Sequence, residues 1–263
     1  MKNTIKIIIG ICVVIFSLVW FIHLKYEDKS FVLIYHRIEK YQGGLKSLYV
    51  LPKNFDLQMK YLYKRGYRTV SLEEMSNQIK NKKINSKNFC ITFDDGYKNN
   101  LTYAYPILKK YSFKATVFVT VEAIGKKFGY PYMPEAEHMS VEELKTVSDV
   151  FEIGSHSNSH RDMQKISKND VIDEVRLSKK RLEKLLGIDI KHFCYPFGKN
   201  FEQYAEVLSS FGYFTACSTK HGFVDINSDI FLLPRIEWKE ISAMSIKDFF
   251  KNLDFYIKIL FGI

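Results

Sequence analysis

The sequence predicts an α/β protein built on a parallel sheet, and three observations carry that expectation. Short apolar runs recur over residues 31–35, 89–93, 115–120, 151–154, 192–195, 214–217 and 230–233. Helix signals separate most of them. Polar motifs follow two of the runs directly, Asp94-Asp95 after the second and Ser155-His156 after the fourth. Strand and helix taking turns implies parallel strands joined by helical crossovers. Periodicity alone does not separate an open sheet from a closed barrel. A chain of 263 residues can hold one large domain.

Two parts are expected, 1–29 and 30–263. Residues 5–24 are almost wholly apolar, with Lys2 and Lys6 at their start. Twenty helical residues at about 1.5 Å each span the roughly 30 Å hydrocarbon core. The two lysines favour the N-terminus inside and the rest outside. Trp20, Phe21 and His23 stand where small residues would mark cleavage, so the segment reads as an uncleaved signal anchor. A cleaved signal peptide is the alternative. Glu27 to Ser30 make a polar tether.

The elements follow in order. Residues 31–35 read as the first strand. Asn54 can cap a helix to Lys64 with Phe55, Met59 and Leu62 on one face. Ser71-Leu72-Glu73-Glu74 has the form of a capping box, and 81–87 is a polar loop. The strand over 89–93 leads to a helix over 99–111, then the strand over 115–120. The segment 125–139, rich in Gly, Pro and aromatics, is either a substrate-side loop or an ordinary surface loop. Ser140 caps a short helix before the strand over 151–154. Residues 168–186 form a long amphipathic helix stopped by Gly187. Strand 192–195, helix 201–211 and strands 214–217 and 230–233 complete the alternation. Residues 246–263 form an amphipathic helix that closes the bottom of the sheet or rests on a membrane.

Cys12 lies in the apolar leader. Cys90, Cys194 and Cys217 fall in strands as small hydrophobes, with no CxxC pair. The net charge of +10 would suit nucleic acid. The lysines are scattered, however, and no basic stripe interleaves with aromatics, so no nucleic-acid partner is expected. Anionic polymers or lipid headgroups would also meet such a surface, and a solvated Lys-rich exterior explains it equally well.

The chemistry lies in two stretches. Asp94 and Asp95 end an apolar run side by side, and successive residues there point to opposite faces, so the two can serve different roles. His156 and His160 stand four apart among Ser and Asn. One carboxylate with two imidazoles makes a metal site with open positions, and the other carboxylate is left as a base. Either stretch alone would read as a polar turn.

TFDDGY, SHSNSH and Tyr195-Pro196-Phe197-Gly198 resemble the motifs of the polysaccharide deacetylases, the NodB-homology family. Tyr35-His36-Arg37 and Leu233-Pro234-Arg235-Ile236 resemble the poly-N-acetylglucosamine deacetylases within it. The resemblance covers roughly residues 30–240. It implies a distorted barrel of about seven strands with the site on the C-terminal rim. It implies a divalent metal on Asp95, His156 and His160, with zinc first and cobalt, nickel or iron also suited. Asp94 is then the base, and the backbone N–H of Phe197 the oxyanion donor, beside Tyr195 on the substrate side.

Two departures matter. Where the family carries an arginine that orients the base, this chain has Cys194, and Arg235 is the candidate replacement. The family's late Leu-x-x-His motif is missing, but Leu33-Ile34-Tyr35-His36 has its form at the start. The motif order would then be circularly permuted, with His36 as general acid. Glu237-Trp238 would correspond to the acidic-Trp pair that holds this histidine. The implied activity is removal of acetyl groups from N-acetylglucosamine units of a surface polysaccharide, poly-β-1,6-N-acetylglucosamine first and peptidoglycan second. An anchored glycan-binding protein without catalysis is the rival of another class. Expected partners are that polysaccharide, the membrane, and a polysaccharide synthase or export complex. The expected location is the cell membrane, single-pass, with the catalytic domain outside.

Overall fold

A computed structural model of the chain describes residues 13, 17, 20–22, 24–198, 204–239 and 252–261. Its strands are β1 (Phe31–Tyr35), β2 (Arg37–Ile38), β3 (Tyr49–Val50), β4 (Arg68–Thr69), β5 (Asn88–Phe93) and β6 (Ala115–Val119). There follow β7 (Lys127–Phe128), β8 (Ala136–Glu137), β9 (Phe151–Ser155), β10 (His192–Cys194), β11 (Thr215–His221) and β12 (Leu233–Glu237). β1 pairs with β12 on one side and β5 on the other, which closes the ring β1-β12-β11-β10-β9-β6-β5. Every pairing in this seven-stranded ring is parallel. The short β4 pairs with the start of β5. Among the described residues, the first strand therefore sits beside the last.

Alternation of side chains sorts the core into two shells. Phe31, Leu33 and Tyr35 of β1 and Phe89, Ile91 and Phe93 of β5 lie in an outer cluster with Phe55, Met59 and Leu62 of helix Pro52–Lys64. Tyr35 meets Phe55 edge-on at 5.0 Å. Each such side chain contributes about 1.5–3 kcal/mol by leaving water. Val32, Cys90, Phe118, Cys194, Cys217 and Leu233 fill the inner cluster. Leu72, Met75 and Ile79 of helix Leu72–Lys80 join it and floor the barrel. The three buried cysteines are free thiols.

Several boundaries differ from expectation. Helix Pro52–Lys64 starts two residues before Asn54, because Pro52 at its first turn already has the helical φ and Leu51 takes the cap position. The helix expected over 99–111 is split into a π-turn, Asn100–Ala104, and helix Tyr105–Lys110. Pro106 has no N–H to donate and resets the ladder. The last strand lies at Leu233–Glu237 rather than 230–233. Ser71 accepts from the Glu74 N–H at 3.0 Å, and Ser140 forms a full capping box with Glu143.

Helix Lys168–Leu186 ends at left-handed Gly187 as expected. Helix Ala205–Ser210 is the described part of the element expected over 201–211, and 201–203 lie outside the described residues. Likewise Leu253–Phe261 is the described helix within 246–263. It does not close the bottom. Phe255 packs edge-on against Phe31 and Trp238, each at 5.2 Å, on the outer side of β1. The floor belongs to helix Leu72–Lys80. Among the described residues no helix is long and apolar enough to cross a membrane, and most of the anchor expected over 5–24 lies outside them.

Candidate active site

β5 delivers both aspartates to the C-terminal rim. The Asp94 N–H bonds to Tyr35 O at 2.9 Å, so Asp94 continues the ladder between β5 and β1. Asp95 then turns into the left-handed region at φ 74. Ser157 (φ 65), His160 (φ 59) and Phe197 (φ 59) do the same. Such backbone costs a non-glycine residue about 1–3 kcal/mol, and it persists only where surrounding structure fixes it. Here these positions gather at one rim. Gly198, at φ 58, follows Phe197, and a Cβ there would fall 2.0 Å from the Thr219 side chain. That turn admits glycine alone.

Asp95, His156 and His160 converge. The Nε2 atoms of His156 and His160 stand 3.5 Å and 3.4 Å from Asp95 Oδ1. One ligand atom from each lies within 4.8 Å of the others. Two donors bound at about 2.0–2.1 Å to a tetrahedral cation stand roughly 3.4 Å apart. Asp95 Oδ1 is buried with no hydrogen-bond partner. Burial pushes the His156 imidazole down to about 4, so it is neutral at ordinary pH. Its Nδ1 meets Cys194 O at 2.8 Å, which leaves Nε2 for the cluster. A carboxylate and two imidazoles are a donor set that fits a divalent cation.

Asp94 has a different environment. Arg235 donates from Nη1 to Oδ1 at 2.7 Å and from Nη2 to Oδ2 at 2.8 Å. Both side chains are buried. Burial alone would raise the Asp94 carboxyl, but the Arg235 charge and its hydrogen bonds override this and hold it well below the carboxylate range. Arg235 Nε also donates to Ser218 O at 2.8 Å, and Nη2 lies 3.1 Å from Cys194 Sγ. The arginine thus reaches from β12 to the place where Cys194 left room. His36, just beyond β1, brings Nε2 to 3.8 Å from Asp94 Oδ2.

The remaining candidates divide. Phe197 lies at the rim, half exposed, its ring 4.8 Å from that of His160. Tyr195 is a correction: its side chain is buried, stacks edge-on to Phe193 at 5.4 Å and donates to Phe231 O at 3.2 Å. It is core, because β10 turns its odd positions outward. Glu237 is ion-paired with Lys239 at 3.0 Å rather than with His36. It shares a shallow recess with His36 and Trp238.

Two residues escaped the sequence reading. Glu174 accepts from the N–H groups of Asn158 and Ser159, at 3.0 and 2.9 Å, and pins the loop that carries both histidines. A carboxylate inside the buried stripe Val171, Val175, Ser178, Leu182 was its legible signal. Tyr130, on the segment 125–139, lays its ring 4.4 Å from that of His160. The segment is a small hairpin, β7–β8, on the site side, and no local pattern marked which aromatic would turn inward.

Residues 81–216, just over half of the chain, match the family described as polysaccharide deacetylase. The chain belongs to the polysaccharide deacetylase family. The Bacillus subtilis protein YxkH is 31% identical over 207 residues, which cover 78% of this chain and 70% of that protein. A poly-β-1,6-N-acetyl-D-glucosamine N-deacetylase of Staphylococcus aureus is 27% identical over 239 residues, 81% of this chain and 80% of that one. The structure of Streptococcus pyogenes deacetylase PplD in complex with acetate is similar at a TM-score of 0.72 and 26% identity, covering 85% of this chain and 97% of that one. The enzyme is thus a polysaccharide deacetylase with the family's parallel barrel.

Proposed function

We propose that this deacetylase removes N-acetyl groups from N-acetylglucosamine units of poly-β-1,6-N-acetylglucosamine, using a divalent metal, zinc first. One observation carries the mechanism: the Asp95–His156–His160 cluster shares a rim with an Arg235-held carboxylate and a third imidazole, that of His36, 3.8 Å from it. Likeness to the Staphylococcus aureus enzymes named for that polymer supports the substrate.

A cation on Asp95, His156 and His160 would supply Lewis acidity, making water more acidic and polarising the acetyl carbonyl. The side chains do the rest. Asp94, kept ionised by Arg235, takes the proton from the attacking water. The Phe197 N–H would donate to the oxygen that gains charge at the carbonyl. His36 gives a proton to the sugar nitrogen as the C–N bond breaks. The products are acetate and a free amine.

Asp94→Asn tests this most simply. The full chain, given defined β-1,6-linked N-acetylglucosamine oligomers, is expected to release acetate. The variant should lose on the order of 10²-fold or more while keeping its metal, because an amide cannot accept the proton. Retained turnover would remove Asp94 as base. Wild-type preference for β-1,4-linked oligomers would replace the substrate with peptidoglycan.

The location proposed is the cell membrane, with residues 5–24 as anchor, the catalytic domain outside, and a polysaccharide synthase or export complex as neighbour. Tyr26 to Ser30 lead into β1 at the end opposite the site, so an anchored barrel presents its rim away from the lipid. Protease added to protoplasts is expected to digest the domain. Protection would reverse the topology, and a released soluble form would mean a cleaved leader.

A further inference from the structure

The two histidines of the cluster are held differently. His156 has the usual support, a hydrogen bond from Nδ1 to a carbonyl. His160 Nδ1 is buried and has no hydrogen-bond partner. Apart from the approach of its Nε2 to Asp95 Oδ1 at 3.4 Å, such a ring has no polar contact to fix its rotation about Cβ. Its backbone is fixed, through left-handed φ and an N–H bond to Ser157 Oγ at 2.9 Å, but that does not orient the imidazole.

We propose that Tyr130 is a positioning residue for His160, clamping the imidazole between its own ring and that of Phe197 in place of the missing hydrogen bond. The inference rests on reading Asp95, His156 and His160 as the metal site. The Tyr130 ring lies 4.4 Å from His160, tilted by 58°, and Phe197 lies 4.8 Å away at 65°. Aromatic pairs at such separations are worth about 0.5–1.5 kcal/mol beyond buried area. That is enough to favour one ring orientation severalfold.

Tyr130 is itself braced. Phe128, His138 and Tyr97 surround it at 5.1, 5.7 and 5.9 Å. Arg37 lies over the Tyr97 ring at 5.0 Å, and Met139 N bonds to Gly96 O at 3.0 Å. The β7–β8 hairpin is thereby tied to the aspartate loop, and its position is passed to His160 through one ring. Tyr35-His36-Arg37 thus has a second role, in which Arg37 steadies the box whose inner wall is Tyr130.

The test compares metal affinity of the full chain in detergent for Tyr130→Ala, Tyr130→Phe and His160→Ala, by competition of zinc with a chelator. Losing an outer support of a ligand typically costs about 10- to 100-fold in affinity. Tyr130→Ala is expected to bind about 10-fold more weakly. Tyr130→Phe, which keeps the ring, should match wild type. With cobalt in place of zinc, the visible spectrum of Tyr130→Ala should broaden and that of Tyr130→Phe should not. If Tyr130→Ala fails to fold, Tyr130→Leu keeps most of the volume without the ring and should show the same weakening. Wild-type affinity in the folded Ala or Leu variant, with affinity lost in His160→Ala, overturns the clamp and leaves the metal site standing. Full affinity in His160→Ala overturns the metal-site reading, and the clamp with it.

Discussion

His36→Ala is expected to slow N-deacetylation of the glycan by roughly 10²- to 10⁴-fold, the usual range for a positioned acid. The same variant should lose far less on an activated aryl acetate. The contrast follows from the leaving groups. An amine must take up a proton as it departs, whereas an activated phenolate leaves without one. The geometry favours this assignment over a core histidine. The imidazole is 17% exposed at the side chain, reaches within 3.8 Å of Asp94, and opens onto a recess at the rim. A core role would instead show as a fall in thermal stability with equal losses on both substrates. Unchanged glycan turnover would remove His36 from the mechanism, and the permuted motif order would lose its functional meaning.

What the sequence disclosed, and what it hid, follows from the range of the forces involved. β1 and helix Lys168–Leu186 were legible because their periodicity and stop residues are local. The metal-site candidates were legible because each half ends a strand, and the barrel puts strand ends on one rim. β4 was missed: it has two residues, neither buried, and exists by pairing with β5. β12 was placed three residues early because Pro234 and Arg235 interrupt its apolar pattern. Arg235 is nonetheless buried, since its charge is met by a carboxylate 141 positions away. No local pattern contains that partner. The expected Glu237–His36 pair failed for the opposite reason, because a local partner, Lys239 two residues on, takes the carboxylate. The Tyr130 clamp depends on how a fifteen-residue segment folds back, which composition does not specify.

Arg235→Met should damage the enzyme in two separable ways. Removing one member of a buried ion pair typically costs about 3–5 kcal/mol, because the other charge stays behind without compensation. The fork of two hydrogen bonds to Asp94 and the bond to Ser218 O would go together. The pH dependence identifies the cause. In the wild type Asp94 is depressed in the folded state, so its stabilising contribution is present above the ordinary carboxylate pKa. It is lost only as pH falls through the much lower folded value. Without Arg235, burial is opposed only by the weaker influence of the His156 and His36 imidazoles, and the folded carboxyl is expected to rise above its unfolded value. Its contribution then has the opposite sign: stability is present at low pH and lost as pH rises through the new folded pKa. The gap in unfolding free energy between wild type and variant should therefore be wide at pH 7 and narrow toward pH 4. Urea unfolding with a chelator present, so that metal does not intervene, measures it. The acid limb of the pH–rate profile should move to higher pH for the same reason. Arg235→Lys would return the charge without the planar fork, and should restore stability more than turnover. A gap that stays constant from pH 7 to pH 4 would show that Arg235 acts by packing alone, and the base would need another group to hold it ionised.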